Sequence, residues 1–490
     1  MLATEMIAED LLKKPVWQAS ELGQPIPAST HAVSVALPRW QDVVGYEEKK
    51  PEILSRLATG YPRFVVHPLV QDLARLIGGG KPCLPFPSKR AAEQALAFVR
   101  KSEDAAAQVV ARDGVFGVVT TPDGLVALKA FWQHTGLIVS SRQASALLEG
   151  RQPDSTSGKY YSSLREQLAR LYHCEPNDVF LAPTGMASVF DALKALGKRT
   201  PSSATAQLGF PYVDTLKLQE KLGNGGVLLH HLGSIGTELR ALLDRQSIAG
   251  CFCEIPGNPL LGCADLHLVS PLLRERGVPL VVDDVVATPI NVDLSLHADL
   301  VVTSLTKFIV GTGDAMGGAL ICNPKSPLYA ELKSIVASQH EELLWGEDAA
   351  VLEQHARTFP ERMRRHNQTG LLIAERLRAH PAVERVWYPK WEFAEAYEAV
   401  RRPDGGWGAL ITFLPKDADR NSPAIYDRLP FCKGPSLGTL FTLACPFTLL
   451  AHYTELDWAE SCGVSRYLIR ISVGLEDPEE LWQRLERALQ

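Results

Sequence analysis

The chain of 490 residues has no basic stripe, no CxxC cysteine pair and no long apolar run. Its net charge is −6, from 50 Lys and Arg against 56 Asp and Glu, with no extended block of one sign. A nucleic-acid-binding body needs clustered positive charge to neutralise phosphates, so that class is excluded. A composition 46% hydrophobic and 22% charged excludes intrinsic disorder as well. Nine cysteines (83, 174, 251, 253, 263, 322, 432, 445 and 462) are odd in number and scattered, without a CxxC pair. That pattern excludes a disulfide framework and predicts reduced, mostly buried thiols in a cytoplasmic protein. The longest uncharged stretch, 434–454, carries Pro435, Pro446 and His452 and reads as buried chain, not a membrane span. Glu5, Glu9 and Asp10 interrupt the first ten residues, so no apolar targeting core is expected there.

What is present is an α/β texture. The first 60 residues are punctuated by Pro15, Pro25, Pro27 and Pro38, and a break follows at Gly78-Gly79-Gly80. Residues 88–111 carry a helical pattern, 150–159 are irregular, and a helix is expected around 162–171. From about 178 to 325, short β-branched runs at 227–229, 250–254, 278–282, 300–303 and 318–322 alternate with helical stretches at 237–246 and 267–275. Continuous apolar strands separated by helices predict a mostly parallel sheet buried on both faces. Strands at 409–414 and 467–472 predict a second, smaller α+β region, closed by a helix that Asp477 caps and Pro478 starts. The expected division is an extended N-terminal segment (1–139), a large domain (140–345) and a small C-terminal domain (346–490).

The chemistry concentrates at two strand ends. The run Leu280-Val281-Val282 leads into Asp283 and Asp284, and Leu300-Val301-Val302 leads into Ser304-Leu305-Thr306-Lys307. Ligands of α/β sheets bind at the carboxyl ends of the strands. A lysine, two hydroxyls and a strand-end carboxylate on one sheet edge are what pyridoxal phosphate (PLP) requires. The amine reaches the aldehyde, the hydroxyls take phosphate oxygens, and the carboxylate keeps the pyridine nitrogen protonated. Leu181-Ala182-Pro183-Thr184-Gly185-Met186 opens a helix whose N-terminal amides suit a phosphate.

Taken in order, Pro183-Thr184-Gly185-Met186, Glu254-Ile255-Pro256-Gly257-Asn258-Pro259, Val282-Asp283-Asp284, Ser304-Leu305-Thr306-Lys307, Ser436-Leu437-Gly438 and Leu468-Ile469-Arg470-Ile471-Ser472 carry a family pattern. The chain resembles the PLP-dependent Cys/Met-metabolism enzymes that include cystathionine γ-synthase, in their fungal-type branch. The resemblance implies the fold of type I PLP-dependent transferases. Lys307 is then the Schiff-base lysine and Asp283 the partner of the pyridine nitrogen. Thr184, Gly185, Met186, Ser304 and Thr306 hold the phosphate, and Tyr212 stacks on the ring and assists proton transfer. Asn258, Ser436 and Arg470 receive the amino-acid substrate. The implied reaction is γ-substitution on an O-acylated homoserine such as O-acetylhomoserine, with cysteine as nucleophile, in trans-sulfuration and amino-acid biosynthesis. Sulfide, a carbon nucleophile, or γ-elimination as in cystathionine and methionine γ-lyases would use the same residues, and a catalytically inactive binding protein is the alternative of another class.

The resemblance also implies a homodimer or homotetramer with shared active sites, in which a Tyr-x-Arg pair reaches the neighbouring subunit's phosphate. Two segments compete for that part. Tyr61-Pro62-Arg63 keeps the residue types; Ser140-Ser141-Arg142 lacks the tyrosine, but lies nearer the family spacing before Gly185, which favours Arg142. Asp284 stands where the family has asparagine, and an extra carboxylate near the cofactor is expected. Two other motifs lead elsewhere. The glycines of 311–317 imitate a dinucleotide loop but run into an apolar strand instead of a helix. Gly434-Pro435-Ser436-Leu437-Gly438 matches a nucleophile elbow, but no acid separates Ser436 from the only later histidine, His452.

Overall fold

The computed structural model describes residues 10–102, 106–112, 114–151 and 157–490. The readings of residues 1–9 and of 152–156 within the irregular stretch lie outside the described residues. A two-residue pair, β1 (Pro25–Ile26) with β2 (Ser34–Val35), opens the chain. A three-stranded antiparallel sheet follows, β3 (Cys83–Phe86), β4 (Ala107–Arg112) and β5 (Val115–Thr120), ordered β3-β5-β4.

The central sheet has seven strands: β6 (Val179–Ala182), β7 (Thr205–Leu208), β8 (Gly226–Leu229), β9 (Cys251–Glu254), β10 (Leu280–Asp283), β11 (Leu300–Ser304) and β12 (Gly318–Cys322). Their order is β6-β12-β11-β10-β9-β7-β8, parallel except for β12. The runs Leu280-Val281-Val282 and Leu300-Val301-Val302 are buried throughout, as a sheet covered on both faces requires. The small domain holds β13 (Val383–Trp387), β14 (Leu410–Pro415), β15 (Cys432–Lys433), β16 (Leu443–Pro446) and β17 (Ile469–Ser472), ordered β13-β14-β17-β16-β15. The last helix, Pro478–Leu489, starts where Asp477 accepts from the Glu479 and Glu480 amides, as its sequence predicts.

The N-terminal region departs from the expected extended segment. Residues 68–135 fold into the β3-β5-β4 sheet and helices Pro68–Gly78, Lys89–Ser102 and Gly124–Thr135. Phe86, Phe131 and Trp132 of that layer share one core with Met186, Leu193 and Val281 of the large domain. Of the helix expected over 88–111, Lys89–Ser102 is helical and 103–105 lie outside the described residues, while Ala107–Ala111 belongs to β4, paired with β5. Only 10–64 runs as an irregular strap, broken by short helices such as Trp40–Glu47. All nine cysteines are free, seven of them buried. Among the described residues no helix is long and apolar enough to cross a membrane.

Candidate active site

Parallel strands leave their carboxyl ends on one edge, and five of them meet there. Beyond β6 lies Gly185, beyond β7 Tyr212, beyond β9 Asn258, at the end of β10 Asp283, and beyond β11 Lys307. Together with Ser436 and Arg470 of the small domain, these side chains line one cleft with an empty volume of about 1000 Å³. The register of β10 against β11 pairs Asp283 with Val302, which carries Ser304 and Lys307 to Asp283's side of the cleft.

Lys307 Nζ donates to Ser436 Oγ at 2.8 Å and lies 4.6 Å from the centre of the Tyr61 ring. Burial pushes the lysine below its ordinary value, against the opposing pull of Tyr61. Burial would raise the Tyr61 phenol, but Lys307 and Arg63 outweigh it and hold it below the usual tyrosine value. Tyr212 is pushed up by its burial, so its phenol keeps its proton. Asp283 accepts one backbone bond, from Val285 N–H at 2.9 Å, and burial pushes its carboxyl up to about 6.

Gly185 has a steric reason to be glycine: a Cβ there would lie 2.7 Å from Ser304 Cβ. The helix Gly185–Arg199 therefore starts hard against Ser304 at the end of β11. The loop 434–438 approaches the lysine as closely. A Cβ on Gly438 would lie 2.6 Å from the Phe308 nitrogen, and Ser436 is held at φ 115°, a left-handed conformation that non-glycine residues avoid. Arg470 reaches the cleft from β17. It donates to Asn258 Oδ1 at 3.1 Å and to the Ser436 carbonyl at 2.7 Å, over the Phe447 ring. Among the described residues it has no carboxylate partner.

Three expected ligands point elsewhere. The Thr184 hydroxyl caps the helix, accepting from Ala187 N–H at 3.1 Å and donating to the Gly136 carbonyl at 3.0 Å. Thr306 Oγ1 accepts from Gly317 N–H at 3.1 Å and bridges the lysine turn to β12. Arg142, favoured on spacing, has its guanidinium bound to Asp314 and Asp348 at 3.1 Å each and does not line this cleft, whereas Tyr61 and Arg63 do. Between the Tyr-Pro-Arg segment and the helix Gly185–Arg199 the chain forms the folded layer of β3, β4 and β5, which lengthens the chain distance from Arg63 to Gly185. Asp284 is a correction. Successive side chains alternate across a strand, so Asp284 turns from the cleft and accepts from Tyr172 at 3.0 Å. Gly434–Gly438 forms no hydrolase triad, since Ser436 Oγ meets Lys307, and His452 pairs with Glu455.

Two residues with clear jobs were not singled out from sequence. Glu254 ends β9 beside Asp283 and accepts from the backbone of Tyr212 at 2.5 Å and of Asn258 at 3.3 Å, positioning both. Burial, and then the Asp283 charge, push it up to about 8. The strand-end rule that flags Asp283 would have found it. Asp214 is fully buried; it pairs with Arg63 and also accepts from Gln133 at 2.9 Å and contacts His134 at 3.0 Å.

Residues 156–490 match the sequence model of the Cys/Met metabolism PLP-dependent enzymes, and 65–140 that of the fungal trans-sulfuration enzyme N-terminal domain. The chain belongs to the Cys/Met-metabolism PLP-dependent enzyme family. It is 34% identical to cystathionine gamma-synthase of Neurospora crassa, over 96% of this chain and 98% of that one. It is also 34% identical to the L-2-amino-4-chloropent-4-enoate dechlorinase/desaturase of Streptantibioticus cattleyicolor, over 93% and 95%. Among solved structures, cystathionine gamma synthase of Xanthomonas oryzae pv. oryzae, in complex with cystathionine, superposes with a TM-score of 0.61 at 26% identity, covering 69% of this chain and 88% of that one. The protein is thus a PLP-dependent enzyme of cystathionine γ-synthase type. The residues present fit the cofactor: a recessed carboxylate with a single backbone partner, an amine of lowered basicity, and a helix start that admits no Cβ.

Proposed function

We propose that this enzyme exchanges the group on the γ-carbon of an O-acylated homoserine for cysteine, the cystathionine γ-synthase reaction. The observation that carries the reading is Lys307 Nζ in one cleft with Asp283 and with Arg470, a buried guanidinium that pairs with no carboxylate among the described residues. When bound, PLP supplies an electron sink that makes protons on the substrate's Cα and Cβ removable. Lys307 would hold the cofactor and move those protons. Its lowered basicity favours the neutral amine that such transfer requires. Tyr61, beside Nζ and depressed by its cationic neighbours, is the better placed second proton acceptor, because Tyr212 retains its own proton. Tyr212 is assigned the ring face, Asp283 the pyridine nitrogen, and Gly185, Met186 and Ser304 the phosphate end. Arg470 takes the substrate carboxylate, for which its planar fork is suited. The oligomer, dimer or tetramer, and the cytoplasmic location follow the resemblance.

A second reading, elimination without a nucleophile, is favoured by the equal identity to the dechlorinase/desaturase, whose name places chlorine on C4, the same γ-carbon. Purified protein supplemented with PLP should show a visible band of lysine-bound cofactor that Lys307→Ala abolishes; lack of the band in the unaltered protein would refute the assignment. Mass spectrometry with O-acetyl- and O-succinylhomoserine should show cystathionine when cysteine is added. Formation of 2-oxobutyrate and ammonia regardless of nucleophile would select elimination.

A further inference from the structure

The strap 10–64 and the folded layer behind it decide where Tyr61 and Arg63 belong. Arg63 is 5% exposed and is tied into its own chain on every side. Its guanidinium pairs with Asp214, donates to the Gln133 carbonyl at 2.8 Å and to the Tyr212 hydroxyl at 2.5 Å. Upstream, the strap is fastened to the small domain: Leu37 N–H donates to the Lys433 carbonyl at 2.9 Å, and Ser34 Oγ to the Pro435 carbonyl at 2.5 Å. That loop runs directly into Ser436, the partner of Lys307. Downstream, His67 starts the helix Pro68–Gly78, and the layer it opens merges with the large-domain core, where Phe131 lies edge-on to Phe190 at 6.3 Å. Residues 61–63 are therefore bracketed by two segments already packed on the same chain. An arm reaching across to a neighbour would need one free side.

We propose that Tyr61 and Arg63 complete the cofactor cleft of their own chain, so that each subunit carries a whole site and borrows no Tyr-x-Arg pair from a neighbour. This rests on the assignment of Lys307 as the cofactor lysine. Arg63 then acts on the cofactor by fixing Tyr212 in the cleft wall, and Tyr61 acts beside the lysine of the same subunit. Cofactor affinity becomes a property of the single chain, independent of subunit exchange.

The test uses two full-length chains with different tags, Lys307→Ala and Arg63→Ala, co-expressed and purified as the mixed oligomer. PLP is titrated while the visible band of lysine-bound cofactor is followed. Only the Arg63→Ala chain can give the band, and in the mixed oligomer its neighbour carries an intact Arg63. The expected result is the affinity of the Arg63→Ala protein alone, at least tenfold weaker than the unaltered enzyme. A mixed oligomer titrating with unaltered affinity overturns the proposal, and so does an Arg63→Ala protein that binds PLP normally by itself. If no mixed oligomer forms, a monomer by sedimentation that gives the full band supports it. Should Arg63→Ala fail to fold, Tyr61→Ala replaces it with the same outcomes. A band persisting in Lys307→Ala protein would instead strike the lysine assignment, leaving the two failures distinct.

Discussion

Replacing Arg470 by lysine tests the substrate end of the cleft most directly. The guanidinium lies in a plane set by three neighbours: Asn258 Oδ1, the Ser436 carbonyl and the Phe447 ring at 5.0 Å. Among the described residues it has no carboxylate partner, so a bound amino acid would supply the missing anion. An arginine can meet that anion with two parallel bonds; a lysine ammonium keeps the charge but offers one. A hydrogen bond to a charged group contributes about 1.5–3 kcal/mol, so Arg470→Lys should lower kcat/KM by about 10-fold to 150-fold. Arg470→Ala should do worse, since it also strips the donor from Asn258 Oδ1 and the Ser436 carbonyl. Folding losses are separated from carboxylate recognition by using two substrates, the acylated amino acid and its α-carboxamide, on both proteins. The unaltered enzyme should prefer the acid strongly, and Arg470→Lys should shrink that preference by the same factor by which it loses activity. The visible cofactor band should be unchanged. An acid-to-amide ratio identical in the two proteins would refute the assignment, whatever happens to total activity.

The remaining expectations concern the cofactor end. Asp283 stands near 6 because it is recessed with one backbone donor. The ionised form, present above that value, is the one that attracts a pyridinium, so PLP affinity of cofactor-free protein should fall as pH drops below about 6. Asp283→Asn should bind weakly and lose this dependence, and a titration series from pH 5 to 8 that shows the same slope for both would contradict the role. Arg142→Ala should lower stability by about 3–5 kcal/mol, because Asp314 and Asp348 are left buried without their cation, while PLP affinity of the folded protein holds. A tenfold affinity loss with an unchanged urea midpoint would return Arg142 to the cofactor site. Gly185→Ala forces a methyl to within 2.7 Å of Ser304 Cβ, an overpacking of about 1–3 kcal/mol. Its PLP affinity should drop with the melting temperature, and normal values of both would show that the junction yields.

The chain spells out its central sheet and the groups that line the cleft at its strand ends, because both depend on local pattern. Buried parallel strands must be apolar along their whole length, so Leu280-Val281-Val282 and Leu300-Val301-Val302 announce themselves. A strand-end Asp283 and a post-strand Lys307 then fall on one edge by the geometry of parallel pairing. The cap at Asp477 and the helix start at Gly185 are local in the same way. What the tertiary structure alone decided is which side chains remain free to reach the cleft. Thr184 and Thr306 have the right chemistry, but spend their hydroxyls on the backbone of Ala187 and Gly317. Asp284 follows Asp283 by one residue and so faces the opposite side of the sheet. That Arg63 lines the cleft and Arg142 does not depends on the folded layer between them and on two partners, Asp214 for one and Asp314 for the other, that lie 151 and 172 residues away in the chain. Contacts at such separations leave no periodicity in the sequence; they exist only once the strap, the layer and the two domains have closed around the cleft.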